Sequence, residues 1–267
     1  MSVVIGVLIS IGFIILSVIT GGDKITSLIG TGAAMIVLGG TFGSVMTQFG
    51  PLAMIQAVKS VVALIKPAPS NTALFINQVA DWSNLARSQG SLALESVLGS
   101  TNDPFQKKGL QMIIDNTSQD ELRSIFEILS SNAYREDLAG ADVWEAAGGY
   151  TPTIGVLGAV LGLIHVMTRL DHPAELGPGI ATAFTATIYG VGAANLIFLP
   201  LAARLASAAA ARNRDRQIVV QGFVLLSEGK SGTLIRQNLQ SFLTDKKQKA
   251  AGGGVEGKFG EAAGQAA

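Results

Sequence analysis

Between Gly179 and Ala203 the chain places hydroxyls at Thr185, Thr187 and Tyr189 and an amide at Asn195 in a run free of Asp, Glu, Lys and Arg. Such oxygens could line a path for a cation, or they could donate to carbonyls one turn earlier in their own helix. An ionisable group at membrane depth is costly and is kept for function. No apolar run of this sequence contains a carboxylate, so if the chain conducts cations a partner must supply the acid. His165 and His172 flank the end of the preceding apolar run, near Asp171 and Glu175. Their seven-residue spacing across a helix end fits ordinary loop residues better than a metal site, and no metal is expected. No nucleophile and base pair, glycine-rich phosphate loop or Walker sequence is present, so the sequence offers no catalytic residue and no enzyme.

The elements that must hold these residues are long apolar helices. At about 1.5 Å per residue, Thr151 to Thr168 and Gly179 to Ala203 are each long enough to cross a hydrocarbon core of roughly 30 Å. Ser2 to Thr20 and Leu28 to Phe49 form an earlier pair across the short polar loop Gly21 to Ser27, and a cleaved signal peptide fits the first of these poorly because no Lys or Arg precedes it. Only 14% of the 267 residues are charged, well below the roughly 25% of soluble domains. The formal charge is zero and there is no Cys, which leaves nothing pointing to nucleic acid and removes disulfides and thiolate metal sites. The expected fold class is therefore all-α: a polytopic membrane protein with four transmembrane helices and a cytoplasmic helical domain.

Lys59, Lys66, Arg87, Lys107, Lys108, Arg123 and Arg135 lie between spans two and three, and Arg204, Arg212, Arg214 and Arg216 follow span four, whereas the short loops hold only Lys24 and Arg169. By the positive-inside rule both termini and the central segment are cytoplasmic. Small residues four apart, at Gly39 and Gly43, Gly158 and Gly162, and Ala186 and Gly190, fit close helix packing in lipid.

In the central segment, Pro51, Pro67 and Pro69 punctuate the entry, and Ser70 or Asn71 caps a helix to about Ser88. A stretch from Gly90 to Leu98 follows. Asp103 before Pro104 predicts a capped helix to about Asp115, and Ser118 with Glu121 forms a capping-box pattern. Behind it Leu122, Ile125, Phe126 and Leu129 recur with helical period towards Trp144. The expected organisation is a first transmembrane hairpin over 1–50, a cytoplasmic helical domain over 51–150, a second, pore-lining hairpin over 151–205, cytoplasmic C-terminal helices over 206–245 and a disordered tail over 246–267.

With these features in place, the chain resembles the MotA/PomA family of flagellar motor stator subunits, in the MotA/TolQ/ExbB proton channel superfamily. The resemblance covers almost the whole chain. It rests on VLGGT (Val37 to Thr41), Pro152 with Gly155, GAVLGL (Gly158 to Leu163), PAELGP (Pro173 to Pro178), TIYG with LP (Thr187 to Gly190, Leu199 and Pro200), and LARSQGSLALE (Leu85 to Glu95). It implies a bacterial inner-membrane protein, a homopentamer around a dimer of a MotB-like single-span subunit carrying a membrane aspartate. Ion flow through the complex would drive rotation against the rotor protein FliG. No cofactor is implied beyond the transported ion.

The resemblance also implies roles for single residues. Pro152 and Pro200 match the family's prolines near the cytoplasmic ends of spans three and four, where each removes a backbone hydrogen bond and permits a bend. Arg87 and Glu95 fall at its rotor-facing charges, although Ser88 and Ser91 replace a basic and an aromatic residue of sodium-type chains. Sodium-type members carry hydroxyls at positions matching Ala159, Ala186 and Thr187; only Thr187 retains one. Sodium needs several oxygen ligands in place of its water shell, so the ion-pathway positions Ala159, Ala186 and Thr187, with Tyr189 nearby, predict a proton. The alternatives are a sodium-coupled stator, an ExbB/TolQ-like energiser, a stator-like rotary unit driving a non-flagellar process, and a non-conducting membrane scaffold.

Overall fold

The computed structural model describes residues 2–22, 29–65 and 71–243. Lys24, Lys66, the Pro67 and Pro69 pair, Ser70 and the tail from Lys246 lie outside them. The described residues are helical throughout: α1 (Ser2–Thr20), α2 (Thr31–Ala34), α3 (Gly40–Ile65), α4 (Thr72–Gln89), α5 (Glu95–Ser100), α6 (Pro104–Ile114), α7 (Gln119–Met167), α8 (Pro173–Ala193), α9 (Leu199–Ser227) and α10 (Gly232–Gln240). A 3₁₀ turn over Ser91–Leu94 leads into α5. Two compact units result, one of Met1–Pro67 with Arg135–Ala209 and one of Ala68–Tyr134 with Ala210–Ala267.

The first unit holds the apolar runs of the long helices. Thr31–Leu64, Gln119–Met167 and Leu176–Ser227 are long and apolar enough to cross a membrane, and Ile5–Thr20 is a shorter apolar helix. Small buried clusters join them: Val45, Ala57, Val143, Ala147 and Phe198 form one, and Ala141, Leu201 and Leu205 another. Trp144 Nε1 donates to the Ala57 carbonyl at 3.1 Å and ties α7 to α3.

Local signals account for the breaks. At Gly50 the backbone turns to φ 77°, ψ 168°, a left-handed region open to glycine without a Cβ penalty, and Pro51 then restarts the helix as a first-turn proline. Two departures from simple helices carry no comparable signature, the π-helical turns at Met35–Gly39 and Ala194–Phe198. The second ends two residues before Pro200, whose ring crowds the carbonyl of Leu196 and offers it no N–H. Widening the helix there relieves that conflict.

Helix α7 differs from the expected pair of elements: it runs without a break for 49 residues through Pro152, so that proline marks no helix boundary. Neighbouring hydroxyls supply local bonds. Thr151 donates to the Ala147 carbonyl, and Thr153 to that of Tyr150 at 2.8 Å.

The second unit has one core. Phe75, Phe126 and Phe223 are each 1% exposed or less, with Leu94, Leu110, Leu122, Ile235 and Leu239 around them. Phe126 stacks on Phe223 at 5.6 Å between centroids, and Trp82 stacks on the same ring at 6.1 Å. Capping follows the predicted pattern at two helices. Asp103 Oδ1 accepts from the N–H groups of Phe105 (2.8 Å) and Gln106 (3.0 Å), and Ser118 Oγ accepts from Glu121 at 3.4 Å.

Candidate functional site

In the first unit, α7 and α8 meet along a seam of small residues. A Cβ added at Gly155 would lie 2.9 Å from the Gly190 Cα, one at Gly158 would lie 3.0 Å from the Ala186 Cβ, and one at Gly162 3.0 Å from the Ala183 Cβ. Helices approach this closely only where no side chain intervenes. The spacing of Gly158, Gly162, Ala186 and Gly190 is thus used as expected. Gly39 and Gly43 behave differently: a Cβ at either would meet nothing within 4 Å, because α-helical spacing identifies a smooth face without saying what covers it.

This seam fixes the surroundings of the positions that the family resemblance assigns to an ion pathway. Ala186 is 1% exposed and packs with Ala33, Val37 and Tyr189, so it lies inside the chain's own bundle. Ala159 and Thr187 are half-buried. Among the polar groups of α8 and the turn after it, Thr182 donates to Pro178 at 2.9 Å, Thr185 to Ala181 at 2.8 Å and Asn195 to Val191 at 2.9 Å. Each of these three thus serves its own helix. The Tyr189 hydroxyl accepts from the Gly30 N–H at 3.0 Å, at the cap of α2, and so holds two apolar helices in register. Thr187 is the exception, since its hydroxyl makes no hydrogen bond among the described residues.

A buried pair that chemical reading of the sequence passed over lies nearby. Thr41 and Thr151 are both 0% exposed with their hydroxyl oxygens 3.3 Å apart. Thr41 donates to the Val37 carbonyl at 2.6 Å, within the first π turn. The VLGGT run contained Thr41, but only the fold brings Thr151 to it.

The two prolines also belong to this unit. Pro152 deprives Gly148 of its usual hydrogen-bond donor, and Gly148 packs on Leu199: an added Cβ would meet the Leu199 Cδ2 at 2.5 Å. Leu199 directly precedes Pro200 in the chain. Pro200 is exposed and borders a cavity of about 300 Å³ lined by Gly6, Val7, Ser10, Asn195 and Arg204.

In the second unit, Arg87 stands in the last turn of α4 and Glu95 in the first turn of α5. Both are exposed, and neither has a partner among the described residues. Gly90, at φ 86° and ψ 166°, makes the sharp turn between them. The two histidines do not come together as a metal centre: His172 Nδ1 lies 3.0 Å from Asp171 Oδ1, and among the described residues no group of three His, Cys, Asp or Glu could hold a metal ion.

Against known proteins, residues 98–248 match the model of the MotA/TolQ/ExbB proton channel family. The chain is 31% identical over 242 residues to motility protein A of Bacillus subtilis, covering 88% of each chain. It is 24% identical to the chemotaxis protein PomA of Vibrio alginolyticus, covering 93% of this chain and 97% of that one. Its fold matches the flagellar MotAB stator complex from Bacillus subtilis with a TM-score of 0.81 at 30% identity, over 93% of this chain and 98% of that chain. These matches place the chain in the MotA/TolQ/ExbB proton channel family, among the MotA/PomA flagellar stator subunits, which are channel subunits and not enzymes.

Proposed function

We propose that this chain couples proton flow to flagellar rotation, as the ion-conducting stator subunit of a complex with a MotB-like partner, and delivers torque to the rotor protein FliG. The observation that carries the ion assignment is the state of Thr187. It is the one hydroxyl at the three positions where sodium-type chains carry hydroxyls, and it is uncommitted among the described residues. Ala159 and Ala186 bring no side-chain oxygen, and sodium could not replace its hydration shell from one hydroxyl and a partner carboxylate. A proton needs only that carboxylate and water.

In this reading α1 is a fourth span beside the three longer helices, both termini face the cytoplasm, and five copies surround two copies of the partner. The apolar helix Ser2–Thr20 and the single longer span Thr31–Leu64 support the stator over an ExbB/TolQ-like energiser, which lacks that first hairpin. Pro152 and Pro200 mark the places where α7 and α9 can bend as the ion passes. Arg87 and Glu95 face the rotor.

The test is swimming speed in cells carrying this chain and its partner, with sodium replaced by potassium at fixed pH and membrane potential. Motility should persist without sodium and stop with a protonophore. Strict dependence on millimolar sodium would reject the proton.

A further inference from the structure

We propose that the cavity between α1 and the end of the fourth span binds one anionic phospholipid, with its phosphate on Arg204 and an acyl chain along Val7, Leu196 and Pro200. All of these residues belong to the first unit. The cavity measures about 300 Å³, at the lower end of the volumes that take small ligands. Gly6, Val7 and Ser10 form one wall, in the N-terminal half of α1. The π turn forms the other through Asn195 and Leu196, with Pro200 after it and Arg204 one turn further on. The leaflet follows from the orientation proposed above, which puts Arg204 at the cytoplasmic face.

Polarity is graded along the cavity. Ser10 donates to the Gly6 carbonyl at 3.0 Å and Asn195 to that of Val191 at 2.9 Å, so both polar side chains at membrane depth serve their own helices. Val7, Leu196 and Pro200 beside them offer apolar surface. Among the described residues the one charged group on the lining is Arg204, exposed at the end of the span and about 13 Å along the axis from Asn195 at about 1.5 Å per residue. Arg204 also has a contact within the chain, but a guanidinium carries five N–H groups in a planar fork, which leaves donors for the oxygens of a phosphate. A cation at the mouth with an apolar trough behind it matches an anionic lipid. Free phosphate has no use for the apolar wall, and a lipid without net charge gains less from the guanidinium. Basic pockets between membrane helices take anionic headgroups on this principle. Gly6 keeps the trough open, since a Cβ there would meet nothing within 4 Å.

The test uses the purified complex of this chain with its single-span partner, in phosphatidylcholine vesicles doped with phosphatidylglycerol. A photo-crosslinking residue in place of Val7 should capture phosphatidylglycerol about fivefold above its share of the bilayer. Arg204→Gln should return capture to the bulk share, and Arg204→Lys should keep most of the preference. Gly6→Leu should fill the cavity and remove the excess, whereas Gly12→Leu, at a glycine off the cavity where a Cβ also meets nothing within 4 Å, should not. Recovery with the partner should stay at wild-type levels for both glycine variants, because the added side chains enter open space. Capture at the bulk share by the unaltered cavity, displacement of the lipid by inorganic phosphate, or adducts to a second protein chain instead of lipid overturns the proposal. If a cysteine at Ser118 labels from outside while the excess persists, the orientation fails and the lipid site stands on the opposite leaflet. If flux requires sodium while the excess persists, only the proton reading fails.

Discussion

At the residue scale, three positions that a family pattern would group together turn out to have different surroundings. Ala186 is enclosed by Gly158, Ala33 and Val37, so a larger side chain there must push the spans apart. Ala186→Thr should therefore cost about 1–3 kcal/mol through overpacking, read as a lower melting temperature of the purified complex, whereas Ala159→Thr at a half-buried position should melt close to wild type. Thr187→Ala removes only an uncommitted hydroxyl. It should leave the melting temperature near wild type and the flux independent of sodium. For Arg87 and Glu95, reversal of either charge should reduce torque without affecting assembly, and a compensating reversal on the rotor protein should partly restore it. Failure to assemble would make the pair structural instead.

At the element scale, legibility followed the physics of each signal. The Asp103 and Pro104 start, the Ser118 cap and the Pro51 break could be read because caps and prolines act within a few residues, whereas the positive φ of Gly50 shows only in the fold. The π turns could not be read: the first lies next to no proline, and for the second Pro200 alone does not say whether its helix kinks or widens. Pro152 read equally well as a boundary or a bend, and the helix continues through it. Small-residue spacing was informative at Gly158 and Gly162 but silent on which face has a neighbour, as Gly39 and Gly43 demonstrate.

The α7 and α8 seam supplies the sharpest prediction at this scale. A Cβ at Gly190 would lie 2.9 Å from both the Thr151 carbonyl oxygen and the Gly155 Cα, which are backbone atoms that cannot rotate away. Gly190→Ala should lower thermal stability and complex yield, whereas Gly192→Ala, which meets nothing within 4 Å, should not. In the other unit a Cβ at Gly109 would fall 2.5 Å from the Phe223 ring. Gly109→Ala should displace that ring and lower the unfolding midpoint, by an amount bounded by the roughly 3–5 kcal/mol typical of deleting a core aromatic.

At the scale of the whole molecule, the distribution of Lys and Arg predicts the orientation, and the absence of native Cys makes it easy to measure. A single cysteine at His172 should react with an impermeant reagent in intact cells, and one at Ser118 should not; labelling at Ser118 would reverse the topology. No apolar run of the sequence carries a carboxylate, which predicts that the chain alone conducts nothing. The decisive measurement is proton flux into liposomes holding the purified complex of this chain with its single-span partner, in sodium-free buffer under an imposed potential. Flux that appears without sodium and vanishes when the partner's membrane aspartate becomes asparagine is the result the account predicts. Flux that requires sodium, or that survives loss of that carboxylate, would contradict it.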